Sequence, residues 1–487
     1  MIDKLKSLSK DTLIYGANTI VGRFLNFFLI PFYTHKFLPA EFGIVAILYS
    51  YIAILNVFFS IGLESGYMKF ASTLEAGTKK QNFSNPFILV LLNSLFLSAL
   101  IFVFSSDLTG LFQISENYSY LIRYSALILL FDTVILIPFA YLRLHNKAKS
   151  FAGIKILNIV TNVILNIVLI SYFGFGIEAV FISNLVASVV TFILLLPVIK
   201  SNIDLRFSRE LVIELFRFSI PYIPAGIAAN IIQIIDRPIL KYLTDDKTVG
   251  IYQANYRLGI FMMLVVSMFE YAWRPFFLNN AKDPNAKNIF AKVLTLFVLA
   301  ASFIFLVVTV FIEDIVKMDL PFGYNLIGKA YWAGLSIVPV ILFAYLLNGI
   351  YVNFMAGIYI EKKTKYLPLI TGVGAVSNIV MNFILIPEYS YMGAAVSTLI
   401  SYFLMMLGIY FVSNKFYRIN YEYKKIGLIF ASLAVTAVLY YYVNMSFSIS
   451  WMAKAVFPLL FIILTFLSGI ITKSEIGKLL PALKKRS

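Results

Sequence analysis

The chain of 487 residues contains no cysteine. Disulfide frameworks, zinc fingers and thiol catalysis are excluded at once. With two histidines, His35 and His145, histidine-rich metal centres and catalytic relays lose their usual raw material. Charge is scarce as well: 13% of residues are Asp, Glu, Lys or Arg, against about 25% in soluble domains. No Gly-rich phosphate loop of the Walker type occurs, and no polar segment exceeds roughly 20 residues. A soluble catalytic or nucleotide-binding domain therefore has nowhere to sit, and neither a cofactor nor a metal is expected.

What is abundant is apolar surface, at 60% of residues, together with a net charge of +16. A wet, basic nucleic-acid interface is incompatible with that apolar fraction. A membrane span needs about 20 mostly apolar residues. Fourteen such stretches are found, near 12–33, 43–63, 86–104, 119–141, 151–171, 176–199, 216–240, 249–272, 290–311, 331–355, 366–386, 391–413, 425–444 and 452–471. They are too long for barrel strands and lack period-two alternation. An all-α polytopic membrane protein of about fourteen transmembrane helices is the expected fold class.

Lys and Arg in short loops orient such a bundle. With both termini cytoplasmic, thirty of the forty Lys/Arg fall at cytoplasmic ends and loops, and six at the opposite face. The remaining four, Arg23, Arg123, Arg237 and Arg257, lie inside spans.

Two segment pairs repeat. Leu38, Gly43 and Glu64 of spans 1–2 match Leu243, Gly250 and Glu270 of spans 7–8, at offsets of 205, 207 and 206. Asn162 and Asn166 of span 5 match Asn378 and Asn382 of span 11 at an offset of 216. An even number of spans separates the copies, so they share orientation. Two pseudo-symmetric six-helix lobes are expected, 1–210 and 211–420, with spans 13–14 and a basic tail in 421–487.

Ionisable groups inside spans are the sharpest functional clues, because each costs at least about 2.5–3.5 kcal/mol facing lipid. Arg23 lies about 17 Å into span 1 from the cytoplasm, and Arg257 about 18 Å from the same side. A guanidinium fork matches phosphate oxygens bidentately, so two arginines at one depth form a candidate anion site. Asn26 shares the face of Arg23 and is placed to meet sugar hydroxyls. The competing reading for both arginines is structural: snorkelling, or pairing that locks helices together. Asp236 and Arg237 stand near the outer end of span 7. Neighbours diverge by about 100° on a helix, so they need not pair with each other. Substrate contact and a helix-end polar pair are both open for them. Arg123 either snorkels or meets substrate. Asp132 is the acid deepest in a span, a candidate coupling site for a proton or sodium ion or an ion-pair partner of an arginine. Glu64 and Glu270, near Lys69 and Arg274, fit either an inner gate latch or plain interfacial salt bridges. Pro221, Pro224 and Gly226 in the first turns of span 7 mark a flex point.

The run Tyr15-Gly16, Gly22-Arg23-Phe24, Pro31-Phe32-Tyr33-Thr34, Leu38-Pro39-Ala40-Glu41-Phe42-Gly43 resembles the opening signature of bacterial polysaccharide flippases of the multidrug/oligosaccharidyl-lipid/polysaccharide exporter superfamily. Asp236-Arg237-Pro238-Ile239-Leu240, Val249-Gly250-Ile251-Tyr252 and Tyr256-Arg257-Leu258 are similar to its second-lobe signature. The resemblance covers nearly the whole chain. It implies a non-enzymatic flippase in the bacterial plasma membrane, serving O-antigen, capsule or exopolysaccharide synthesis. Its substrate would be an undecaprenyl-pyrophosphate-linked oligosaccharide, moved from the cytoplasmic to the outer leaflet by alternating access. Membrane lipids, a glycan polymerase and glycosyltransferases are the implied partners, with no nucleic acid. A relative that flips the lipid-linked peptidoglycan precursor has a hydrophobic groove involving its last two spans, which suggests spans 13–14 for the polyprenyl tail. Two rivals remain: a cation-coupled drug antiporter of the same superfamily, which calls for an acid-dominated cavity, and a membrane-embedded glycan polymerase or ligase, which calls for a large external loop.

Overall fold

The computed structural model describes residues 27, 29–319, 324–447 and 449–470, except the side chains of residues 222, 225 and 229. Arg23 and Asn26 lie outside the described residues. Every regular element among those described is a helix. Ten helical stretches are long and apolar enough to cross a membrane, so the chain is a multi-pass all-α membrane protein.

The ten relate to the fourteen expected spans through local chemistry. Thr364–Phe416 covers spans 11 and 12 in one 53-residue stretch. Ser390 leaves helical space there, at φ 50° and ψ −132°, so the stretch is two helices joined at a kink. Span 7 is split into Arg209–Ser219, Tyr222–Ile234 and Asp236–Leu243. Pro221 and Pro238 sit at the two breaks, where each removes a backbone N–H and crowds the preceding turn. Span 4 likewise divides at Ile135, one turn before Pro138. Span 14 is the shorter helical stretch Trp451–Leu467, and most of span 1 precedes the described residues.

Two compact units are distinguished by contact: Met1–Ala254 with Ala330–Ala333 and Ala375–Ala394, and Asn255–Lys329 with Gly334–Gly374 and Ala395–Ser487. In the first unit, the buried face of the helix Arg209–Ser219 sends Leu211 and Leu215 into an apolar cluster with Tyr67, Phe70, Phe83 and Ile137. Polar ties cross between its spans: Tyr33 Oη donates to Asn166 Oδ1 at 2.8 Å, and Asn184 Nδ2 to Tyr49 Oη at 3.0 Å. In the second unit, Trp273 packs edge-on against Phe290 and donates to the Asn353 carbonyl at 3.2 Å. Gly349 makes room for Phe297 there, since a Cβ would stand 2.1 Å from its ring.

Both repeated motifs have matching local structure. Asn166 Nδ2 donates to the Asn162 carbonyl and to Asn162 Oδ1, at 2.9 and 3.1 Å. Asn382 Nδ2 does the same to Asn378, at 2.8 and 2.9 Å. The repeated glycines meet each other. A Cβ on Gly43 would lie 1.9 Å from the Asp246 carbonyl oxygen, and one on Gly250 would lie 1.8 Å from that of Pro39. Small residues permit this backbone-to-backbone crossing of helix starts. Pro39 opens one helix, with Glu41 accepting from the Leu38 N–H at 2.8 Å. Asp245 stands just before the other; the Thr248 N–H it accepts at 2.7 Å holds its carboxyl below the usual range.

No rotamer relieves a clash with a backbone carbonyl, so Gly43→Ala and Gly250→Ala should each cost about 2–3 kcal/mol, the overpacking range. Gly153→Ala and Gly427→Ala, at positions with nothing within 4 Å, should cost nothing. Thermal unfolding in detergent checks the contrast; equal melting temperatures for all four would remove the crossing as a constraint.

Candidate functional site

Span 7 breaks at Ile235, and the following residues form a buried clamp. Asp236 is fully buried and Arg237 is 5% exposed. Arg237 Nη1 donates to Asp236 Oδ1 at 2.5 Å, and its Nε donates to Gln253 Oε1 at 3.0 Å. The same guanidinium also donates to the Gln233 carbonyl and stands over the Tyr252 ring, 5.3 Å from its centroid. Tyr252 Oη donates to the other Asp236 oxygen. The divergence of neighbours along a helix is overcome here: the guanidinium stem turns back far enough to reach the adjacent carboxylate. The result joins the C-terminal part of span 7 to the start of span 8, and these partners all lie inside one compact unit.

Four residues after Gln253, the helical run Asp246–Asn280 tightens into a 3-10 turn at Arg257–Gly259. Such turns inside long helices mark hinges or functional sites. Tyr256 and Leu258 are buried, whereas Arg257 between them is exposed. Gly259 allows close packing on the far side, since its Cβ would meet Ile341 at 2.6 Å. Tyr256 and Tyr345 face each other with their hydroxyls 3.2 Å apart.

Spans 2, 4, 5 and 6 bring a second group together. Glu64 forms an ion pair with Arg143. The Lys155 ammonium interacts electrostatically with both Arg143 and Asp132, and rests 4.5 Å above the Phe139 ring. Asp132 Oδ1 accepts from Ser188 Oγ at 2.5 Å. Two bases, Arg143 and Lys155, therefore lie between the acids Glu64 and Asp132. Serine and lysine, rather than an arginine, are the groups around Asp132.

The other expected positions are separate. Arg123 Nε donates to Ser105 Oγ at 2.9 Å, and its guanidinium lies 5.4 Å from the Phe102 ring centroid. Lys69, expected near Glu64, pairs with Glu75 at 3.7 Å. Glu270 lines a small cleft with Arg274, but Arg274 donates to Tyr359 Oη at 2.5 Å. Sequence reasoning missed Arg143, Lys155, Gln253 and Lys454 as partners. Lys454, at the start of span 14, is 4% exposed and pairs with Asp314 at 2.7 Å. A lysine opening an apolar run was the available signal. Among the described residues, no group of three or more His, Asp and Glu is placed to hold a metal.

The sequence profile of the family described as "Polysaccharide biosynthesis protein" matches residues 37–321. The chain belongs to this family. The signature positions Asp236, Arg237 and Arg257 all fall within the family match. Comparison with curated protein sequences gives no match. Among solved structures, a "Lipid II flippase MurJ, inward closed conformation" superposes with a TM-score of 0.73 at 17% identity, over 94% of this chain and 98% of that one. An inward-facing multidrug resistance MATE family transporter superposes with a TM-score of 0.66 at 14% identity, over 81% and 94%. Its outward-facing counterpart scores 0.58 at 15% identity, over 83% and 95%. The chain thus shares the fold of these transporters.

Breaking one side of a buried ion pair leaves a charge stranded at about 3–5 kcal/mol. Asp236→Asn and Arg237→Gln should each lower stability by that order, and the double variant by clearly less than their sum. A double-mutant cycle of detergent melting temperatures checks this; strict additivity would mean the pair is not energetically coupled.

Proposed function

We propose that the chain is a flippase that carries an undecaprenyl-pyrophosphate-linked oligosaccharide from the cytoplasmic to the outer leaflet of a bacterial plasma membrane. It works by alternating access of two lobes, 1–210 and 211–420, with both termini cytoplasmic. Spans 13–14, in 421–487, supply a path for the polyprenyl tail. Membership of a polysaccharide-biosynthesis family and a fold shared with a lipid II flippase support this reading. The observation that carries it is Arg257, an exposed cation between buried neighbours at a break in a membrane-spanning helix.

Moving a pyrophosphate through a low-dielectric centre is prohibitive unless its charge is matched. Arg257 and Arg23 provide that match bidentately, and Asn26 hydrogen-bonds the first sugar. The polyprenyl chain remains in lipid and needs no carrier. Arg123, near the outer end of span 4, contacts the head group as it leaves. Asp236 and Arg237 position the helix that presents Arg257. Asp132, with Ser188 and Lys155, takes up and releases the coupling ion, and Glu64–Arg143 latches the cytoplasmic side, with Glu270 as its repeat counterpart. The prolines of span 7 absorb the bending. No bond is made or broken, so the role is transport rather than catalysis, upstream of a glycan polymerase and downstream of glycosyltransferases.

In a cell-based or proteoliposome flipping assay, Arg257→Ala and Arg23→Ala should each lower the rate at least tenfold at normal expression. Arg257→Lys should recover only part of it, because an ammonium lacks the guanidinium fork. Full rates in both alanine variants would overturn the arginine site. Resistance to cationic drugs on overexpression would instead favour the antiporter reading.

A further inference from the structure

A second polar site shares no lining residue with the head-group contacts discussed above. Where the ends of spans 9 and 13 meet the start of span 14, an open cavity of about 390 Å³ is lined by Glu313, Asp314, Lys317, Asn444, Phe447 and Lys454, among others. All of it belongs to the second compact unit. Its floor is built rather than incidental. Lys454 is 4% exposed, and its ammonium donates to Asp314 Oδ2 at 2.7 Å. Ser450 caps the short helix that carries it, accepting the Ala453 N–H at 3.3 Å. Tyr440 Oη donates to the Val310 carbonyl at 3.2 Å, tying span 13 to span 9 beneath the cavity. Lys317 pairs with Glu313 on the rim.

The charge balance defines the ligand. Two carboxylates and two ammonium groups cancel, so the cavity selects neither an anion nor a cation. A carboxylate has several lone pairs and an ammonium has three protons, so Lys454 and Asp314 keep hydrogen-bonding capacity beyond their salt bridge. Asn444 adds an amide that both donates and accepts. Donors and acceptors at close spacing suit the vicinal hydroxyls of a sugar, which are both at once. Phe447, 68% exposed at the cavity edge, offers an aromatic face for the apolar side of a pyranose ring. The cavity has room for one or two sugar residues.

We infer that this cavity is a carbohydrate-binding subsite for the glycan part of the substrate on the outer face. The inference rests on the flippase reading and on the orientation set by the positive loops. A head group bound at Arg257 needs only its pyrophosphate and first sugar neutralised or hydrogen-bonded. The remaining sugars, once outside, find a neutral polar cradle here, beside the spans assigned to the lipid tail. Retaining the glycan outside biases each cycle against return.

The test uses the full chain in nanodiscs of phosphatidylglycerol, probed by saturation-transfer NMR with maltotetraose, chitotetraose and a rhamnose-containing trisaccharide. At least one glycan should bind, and Phe447→Ala and Asn444→Leu should each weaken it at least tenfold. Neither variant touches the buried Lys454–Asp314 pair, and unchanged melting temperatures verify that they fold. Arg257→Ala should leave glycan binding unchanged while abolishing flipping. Absence of binding by every glycan overturns the subsite, as does binding indifferent to both variants. Loss of the signal when phosphatidylethanolamine is added overturns it too, assigning the cavity to a zwitterionic lipid head group. If glycan binding depends on Phe447 but the chain flips no lipid-linked oligosaccharide at all, the flippase reading fails while glycan binding in the cavity stands; flipping indifferent to Arg257 and Arg23 overturns only the arginine site.

Discussion

A charge inside a bilayer must have a partner, water or a cargo, and the interior chemistry of this protein follows from that rule. Asp236 and Arg237 neutralise one another and share the rest of their hydrogen-bonding capacity with Gln253, Gln233 and Tyr252. Glu64 takes Arg143, Asp132 takes Ser188, and Arg123 takes Ser105. Each arrangement ties one stretch of helix to another, so the charges double as joints. Arg257 is exposed at a tightened turn, with buried residues on either side.

The backbone obeys a parallel constraint. Inside the membrane each N–H and C=O needs an internal partner, so a break in a span calls for compensation. Pro221 and Pro238 segment span 7, and Arg237 supplies a donor to the Gln233 carbonyl beside the second break. Gly43 and Gly250 let two helix starts cross at backbone contact. Rigid crossing and segmented helix lie in the same compact unit, a combination suited to a body that pivots at one place and bends at another.

Much of this was legible in the residue order. Apolar length identified the spans, and the repeated Asn and Gly positions turned out to share local structure, because identical short motifs on helices repeat the same i, i+4 bonds. Pairings across helices were harder to read. Nothing in the local sequence of Glu64 favours Arg143, 79 residues away, over Lys69 on the next turn; the packing of span 2 against span 4 decides it. Asp236 and Arg237 pair against the helical angle because a long side chain can fold back. The burial of Lys454 likewise depends on a distant partner, Asp314, 140 residues away.

The central claim is that this protein recognises the charge of a polyprenyl pyrophosphate. Native mass spectrometry of the purified chain with equal amounts of undecaprenyl pyrophosphate, undecaprenyl phosphate and undecaprenol tests it most directly. The account predicts retention in that order, with the gap between pyrophosphate and alcohol collapsing in Arg257→Ala. Equal retention of all three lipids, unaffected by that substitution, would contradict it.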